Sequence, residues 1–133
     1  MAIPTRYRDG ISARSSGSLV GTIDKDDCVL IYPLPDWEDM ERRLMRLPGN
    51  KPAIRAYQRR IVGHAAEMDM DGHGRILIPK ELRDFAGLER QAMLIGQGNK
   101  FELWDESRWS EWLAASNNDD GLELPPELES LPL

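Results

Sequence analysis

One cysteine in 133 residues, Cys28, excludes an internal disulfide framework. With only two histidines beside it, the chain lacks the four Cys or His ligands of a structural zinc site, and no metal or cofactor is expected. No apolar run nears the ~18 residues a membrane span needs. The opening MAIPTRYRDG has no apolar core of a secretion signal, so a cytoplasmic protein is expected. No Gly-rich loop ending in Lys-Ser/Thr is present to cradle phosphate. His64 has no partner in sequence for a catalytic pair, and Cys28 lies within an apolar strand, where a thiol packs rather than reacts. No enzymatic constellation is left. The remaining composition, 41% hydrophobic and 30% charged, suits one compact soluble domain or two very small ones.

Charge is uneven. The formal net charge is −6. Residues 1–63 hold 11 basic and 8 acidic side chains, net +3, and residues 64–133 hold 6 and 15, net −9. Between Arg42 and Arg60 stand Arg42, Arg43, Arg46, Lys51, Arg55, Arg59 and Arg60, with no acid among them. Residues 117–133 hold five acids and no base. An acidic whole-chain pI argues against nucleic acid, but a basic face elsewhere overrides it.

The chain repeats itself. Ile3-Pro4 and Arg8-Asp9 match Ile78-Pro79 and Arg83-Asp84 at a shift of 75, as Leu19-Val20-Gly21 matches Leu94-Ile95-Gly96. Val29-Leu30-Ile31-Tyr32 matches Phe101-Glu102-Leu103-Trp104 at a shift of 72, and Trp37 matches Trp109. Three anchors in one order with one three-residue gap mark a duplication: residues 1–46 and 69–116, joined by a basic connector over 47–68 and followed by an acidic tail over 117–133. The second copy opens with Asp71-Gly72-His73-Gly74-Arg75. Shifted back by 75, that turn falls at −4 to 0, ahead of Met1. A late start codon, a truncation or a lost element would each explain this, and an incomplete first copy is expected to leave an unpaired strand edge.

Residues 91–96 and 100–104 read as a hairpin turning at Gln97-Gly98-Asn99, and residues 19–24 and 28–32 as its equivalent, turning at Lys25-Asp26-Asp27. Residues 67–71 and 75–78 read as a third pair around Gly72 and Gly74. Short helices follow each Ile-Pro, the second over Lys80–Ala86 and stopped by Gly87. Asp36 is the expected N-cap of a helix with Trp37, Met40, Leu44 and Leu47 on one face. A second connector helix starts near Pro52, with Ile54, Tyr57, Ile61 and Ala65 inward and Arg55, Arg59 and Arg60 outward. Residues 107–115 form a further helix with Trp109, Trp112 and Leu113 inward. The acidic tail is expected to be mobile.

These blocks (the repeated β-unit, Asp71-Gly72-His73-Gly74-Arg75 running into Ile76-Leu77-Ile78-Pro79, Tyr32-Pro33-Leu34-Pro35-Asp36-Trp37, and Asn99-Lys100-Phe101-Glu102-Leu103-Trp104-Asp105) resemble the MraZ family of bacterial transcriptional regulators, which carry two SpoVT-AbrB-type domains in one chain. The resemblance covers residues 2–115. The absent first Asp-x-x-Gly-Arg element is the departure. The resemblance implies a mainly β fold with flanking helices (α+β), an AbrB-like swapped-hairpin barrel of two tandem repeats. It also implies ring-like homo-oligomers, binding to direct-repeat double-stranded DNA upstream of the family's own gene, a nucleoid-associated location, and repression of that gene and its neighbours in the division and cell-wall cluster.

Arg75 is the foremost candidate. Leaving a Gly-flanked turn, its guanidinium can reach phosphate or bind guanine bidentately, worth ~1–3 kcal/mol of discrimination; alternatively it pairs with Asp71 across the turn. His73 at the tip assists, or is a plain turn residue. Lys80, Arg83, Arg6 and Arg8 flank the short helices and can hold DNA phosphates, although Arg8 and Arg83 each precede an aspartate that could pair locally. The connector arginines are a solvated helix face, or contact DNA or a neighbouring subunit's acidic surface. Glu67, Asp69 and Asp71 share one strand face, which suits solvent and could also hold Mg²⁺. The tryptophans pack the core or a subunit contact rather than stack on bases. Three functions stand open: a sequence-specific DNA-binding regulator, a protein-interaction module with little DNA activity, and a small metal-dependent hydrolase on the acidic strand face.

Overall fold

The computed structural model describes residues 1–117 and 125–132. In chain order it places α1 (Thr5–Ser15), β1 (Ser18–Ile23), β2 (Val29–Pro33), α2 (Leu34–Met45), α3 (Pro52–Tyr57), a π-helical turn (Gln58–Val62), β3 (Ala66–Asp69), α4 (Lys80–Ala86), β4 (Ala92–Gly96), β5 (Phe101–Asp105), α5 (Glu106–Asn117) and α6 (Pro126–Glu129). The strands form one antiparallel sheet, ordered β3-β1-β2-β5-β4. The class is α+β as expected, and the sheet is open, where the resemblance implied a closed barrel. Of the acidic tail, residues 118–124 and 133 lie outside the described residues, and residues 126–129 make a short helix.

Both expected hairpins are present. Asp24 N–H donates to Cys28 C=O at 3.1 Å, closing the first, and Asp27 takes φ +63° within it. Gln97 N–H donates to Lys100 C=O at 2.8 Å in the second, where Gly98 supplies φ +75°. The hairpins meet along β2 and β5, pairing Val29 with Leu103, Leu30 with Glu102 and Ile31 with Phe101. At the shift of 72, Leu30 corresponds to Glu102 and Val29 to Phe101. The register therefore maps onto itself, and a local twofold passes through the Leu30–Glu102 pair.

The same symmetry governs the helices. A Cβ on Gly21 would sit 3.0 Å from Leu82 of α4, and one on Gly96 would sit 3.1 Å from the Tyr7 hydroxyl of α1; Tyr7 and Leu82 differ by 75. α4 packs over the first copy's hairpin, and α1, which also lies on β1 and β2, reaches the second copy's hairpin through Tyr7, each at a glycine whose missing side chain admits the contact. This face buries Ile3, Ile11, Leu19, Ile31, Leu82 and Leu103, among others. The opposite face buries Val20, Leu30, Tyr32, Trp37 and Trp104 beneath α2 and α5. Alternation sends neighbouring residues of β1 to opposite cores.

Prolines start the helices. Pro4, Pro33, Pro79 and Pro125 hold ψ of 139–148° at the N-caps of α1, α2, α4 and α6. Asp36 is thus in the first turn of α2 and not its N-cap; its carboxylate instead takes a two-pronged ion pair from Arg14, with Nη2 at 2.6 Å, tying α1 to α2. The connector helix expected from Pro52 onward breaks into the π turn. The Ile61 carbonyl freed there accepts the buried Thr22 hydroxyl at 2.6 Å. Tyr57 and Leu47, expected inward, are exposed. So are Trp112 and Leu113, at 44% and 42%; Trp112 stacks on Trp109 at 5.2 Å along the helix surface. The third expected strand pair stops after one step, at Asp71 N–H to Arg75 C=O, 2.9 Å. Beyond it, Ile76 pairs with the chain start: Ile76 N–H donates to Met1 C=O at 2.8 Å and Ile3 N–H to Gly74 C=O at 2.7 Å.

Candidate nucleic-acid interface

β3 delivers the chain into the Asp71–Arg75 turn. Asp71 Oδ1 accepts the backbone N–H of His73 at 2.8 Å and of Arg75 at 2.9 Å. Gly74 N–H closes on Asp71 C=O at 3.1 Å, and Gly74 takes φ +74°. The spacing of Asp, glycine and arginine is what this aspartate-capped turn requires, since a carboxylate reaches N–H groups two and four residues on. The bonds from Arg75, then His73, hold the Asp71 carboxyl below its ordinary range.

This settles one alternative left by the sequence. Asp71 is engaged with the turn's backbone and not with the Arg75 side chain. Among the described residues the Arg75 guanidinium enters no ion pair, and Arg75 and His73 are both exposed. The turn is held from below by Arg8, whose Nε donates to Ile3 C=O at 2.7 Å. A Cβ on Gly74 would lie 2.1 Å from that nitrogen. Arg8 therefore fills the space that glycine leaves, and only glycine suits both the φ and the contact.

The structure thus brings Arg75, His73 and Arg8 to one turn. Lys80 and Arg83 stand on α4, following it. The Lys80 ammonium pairs with Asp84 at 2.7 Å, so the local aspartate serves Lys80 and not Arg83. Arg83 is exposed. Arg6 lies over the Tyr7 ring, 4.8 Å from its centroid. In the connector, Arg43 pairs with Asp39 and Arg55 Nε donates to Gly49 C=O, while Arg42, Arg46 and Arg59 are exposed.

Glu67, Asp69 and Asp71 point outward as strand alternation requires, and they do not converge. Among the described residues, the one cluster close enough to share a cation is Asp24, Cys28 and Glu102, which sequence spacing could not reveal because β2–β5 pairing builds it. Burial, then the charges of Glu102 and Asp24, push the Cys28 thiol up. Its Sγ faces Asp24 Oδ2 at 3.8 Å. No helix among the described residues is long and apolar enough to cross a membrane.

Comparison with known proteins finds close sequence relatives. Residues 61–123 match the family model described as "MraZ protein, putative antitoxin-like". The whole chain is 50% identical to a protein of Halorhodospira halophila named transcriptional regulator MraZ, over 90% of that protein's length. Proteins of the same name from Thioalkalivibrio sulfidiphilus and Coxiella burnetii are 49% and 50% identical, again over the whole chain and 90% of each relative.

Proposed function

The chain belongs to the MraZ family of transcriptional regulators, which are not enzymes, and from that premise we propose that it reads DNA through the Asp71–Arg75 turn. One observation carries the reading: a rigid, aspartate-capped turn holds an arginine whose guanidinium is left uncommitted in solvent. Arg75 reads base edges in the major groove and His73 supports it at the tip. Lys80, Arg83 and Arg6 hold phosphates; Arg8 belongs to the interface by positioning the turn.

One arginine reads few base pairs. A ring-like homo-oligomer repeats the contact, so that neighbouring turns engage direct repeats, and linkage raises affinity by ~10²–10⁴ where geometry permits. Residues 1–46 and 69–116 act as the two SpoVT-AbrB-like copies, 47–68 as connector and 117–133 as tail. The targets are repeats upstream of the protein's own gene, with repression of that gene and its division and cell-wall neighbours, in the cytoplasm at the nucleoid.

Gel-shift titration on direct-repeat DNA at two salt concentrations tests this. Affinity is expected to fall steeply with salt, as phosphate contacts release counterions. Arg75→Ala should lose sequence preference while remaining folded. Undiminished affinity in that variant refutes the assignment. A protein that ignores such DNA even at low salt would instead be an interaction module.

A further inference from the structure

The Arg75 turn stands on acidic ground. Residues 67–84, with Arg6, Arg8 and Asp9 of α1 beside them, hold six acids and five bases. Of those bases, Lys80 is taken by Asp84 and Arg8 by the Ile3 carbonyl. A duplex is a polyanion, and a site with no positive excess gains little attraction to it at ordinary salt. The turn can discriminate between bases, but its own surroundings do not supply the grip.

The connector is the opposite case. No acid stands between Arg42 and Ala66. Arg42, Arg46, Lys51, Arg55 and Arg59 are exposed, and of the seven connector cations Arg43 alone enters an ion pair among the described residues. Their backbone is braced. Gln58 Nε2 donates to Leu44 C=O at 3.1 Å and to Leu47 C=O at 3.3 Å, closing the end of α2. Arg55 Nε donates to Gly49 C=O at 2.8 Å, and the Thr22 hydroxyl ties the π turn to β1. Charges on a braced backbone lose less freedom on binding than charges on a loose loop. The connector runs straight into β3, an edge strand whose four residues span about 13 Å. The Arg75 turn follows at its other end, so turn and connector flank one strand, well within the ~34 Å of a DNA helical turn.

We propose that the connector is a phosphate grip: Arg42, Arg46 and Arg59 hold the backbone of the duplex whose bases the Arg75 turn reads. This rests on the DNA reading above and divides its labour. The connector supplies attraction and orientation without regard to sequence, and the turn supplies preference. Met45 and Leu47 are exposed among these cations, which makes an acidic, apolar protein segment the rival occupant; the position of the patch along the reading edge favours the duplex.

Gel-shift titration of the full chain on direct-repeat and scrambled duplexes, over a series of salt concentrations, tests it. The double variant Arg46→Gln, Arg59→Gln is expected to bind both duplexes about tenfold more weakly at low salt and to flatten the salt dependence by about two phosphate contacts, with the preference between duplexes unchanged. Lys25→Gln with Arg90→Gln removes the same net charge from exposed positions elsewhere and should keep the wild-type slope. Circular dichroism confirms folding, and Arg42→Gln with Lys51→Gln replaces the first pair should it not fold. A connector variant with the wild-type slope overturns the proposal and hands the patch to a protein partner. A control that flattens the slope equally, or a connector variant that changes the preference, overturns it as well. The turn fails separately: Arg75→Ala with undiminished preference refutes the reading turn while the loss on the connector variant still upholds the grip. A wild type that binds neither duplex overturns both.

Discussion

Leu19 and Leu94 occupy one place in the repeat, in strands that both read leucine, β-branched residue, glycine. Leu19 is 1% exposed and its strand is buried throughout, while Leu94 and Ile95 are half-buried and the rest of β4 is exposed. The arginines differ likewise. Arg8 reaches under Gly74 to the Ile3 carbonyl; Arg83, its equivalent, lies exposed at a cleft of about 320 Å³ with Met1, Leu77 and Ala92. The local sequence is the same in each pair. What differs is whether a hairpin stands opposite: β3 and its turn cover the first copy's strand, and nothing among the described residues covers the second's. Burial, and with it energetic weight, belongs to the pair of elements and not to the motif.

Paired substitutions sharpen that contrast. Leu19→Ala is expected to cost ~3–5 kcal/mol, as for a fully buried leucine, and Leu94→Ala less than half as much; chemical denaturation measures both. Equal costs would show that β4 is as well covered as β1. Gly74→Ala should destabilise by ~1–3 kcal/mol, since a side chain meets both the positive φ and Arg8, and should abolish DNA binding. Gly72→Ala, with nothing within 4 Å of its Cβ, should be close to neutral. Arg8→Ala is expected to cost ~1 kcal/mol through the lost bond to Ile3, whereas Arg83→Ala should stay within ~0.5 kcal/mol in stability and lower the salt dependence of DNA binding by about one phosphate contact.

The smallest effect concerns pH. The folded state lowers the Asp71 carboxyl, so the turn's stabilisation is present above the unfolded carboxylate value and fades as pH falls through the folded one. NMR of the His73 and Arg75 amides should show their ordering lost at strongly acid pH. In Asp71→Asn, which has no carboxyl to titrate, that loss should disappear from the profile.

Much of this arrangement was legible in the residues. Hairpins announce themselves locally, through Gly98 between alternating apolar runs and through Asp26-Asp27, and α4 through Pro79 and Gly87. The α2 start misled because Asp36 has the chemistry of a cap, but Pro33, the last residue of β2, already fixes the backbone for helix entry, which freed the carboxylate for Arg14. Trp112 and Leu113 have helical spacing suited to burial, yet α5 lies over a sheet edge with no layer above it. The π turn answers to Thr22, thirty-nine residues away, whose hydroxyl needs a carbonyl. For the site, Asp71, Gly74 and Arg75 were legible as a turn. The commitment of the Asp71 carboxylate to amides, and of Arg8 to Ile3, depends on the chain start pairing with Gly74 and Ile76, a contact with no local signal.

The meeting of Leu30 with Glu102 carries a last consequence. Had the two copies been separate identical chains, the residue at that spot would have faced its own twin, and a glutamate would have faced a glutamate, which is destabilising. Fusion of the copies into one polypeptide removed that veto. Each half could then drift alone, one keeping a hydrocarbon and the other acquiring a carboxylate that now takes the Trp104 indole N–H at 3.0 Å. Covalent linkage thereby let a symmetric scaffold become chemically lopsided at its own axis.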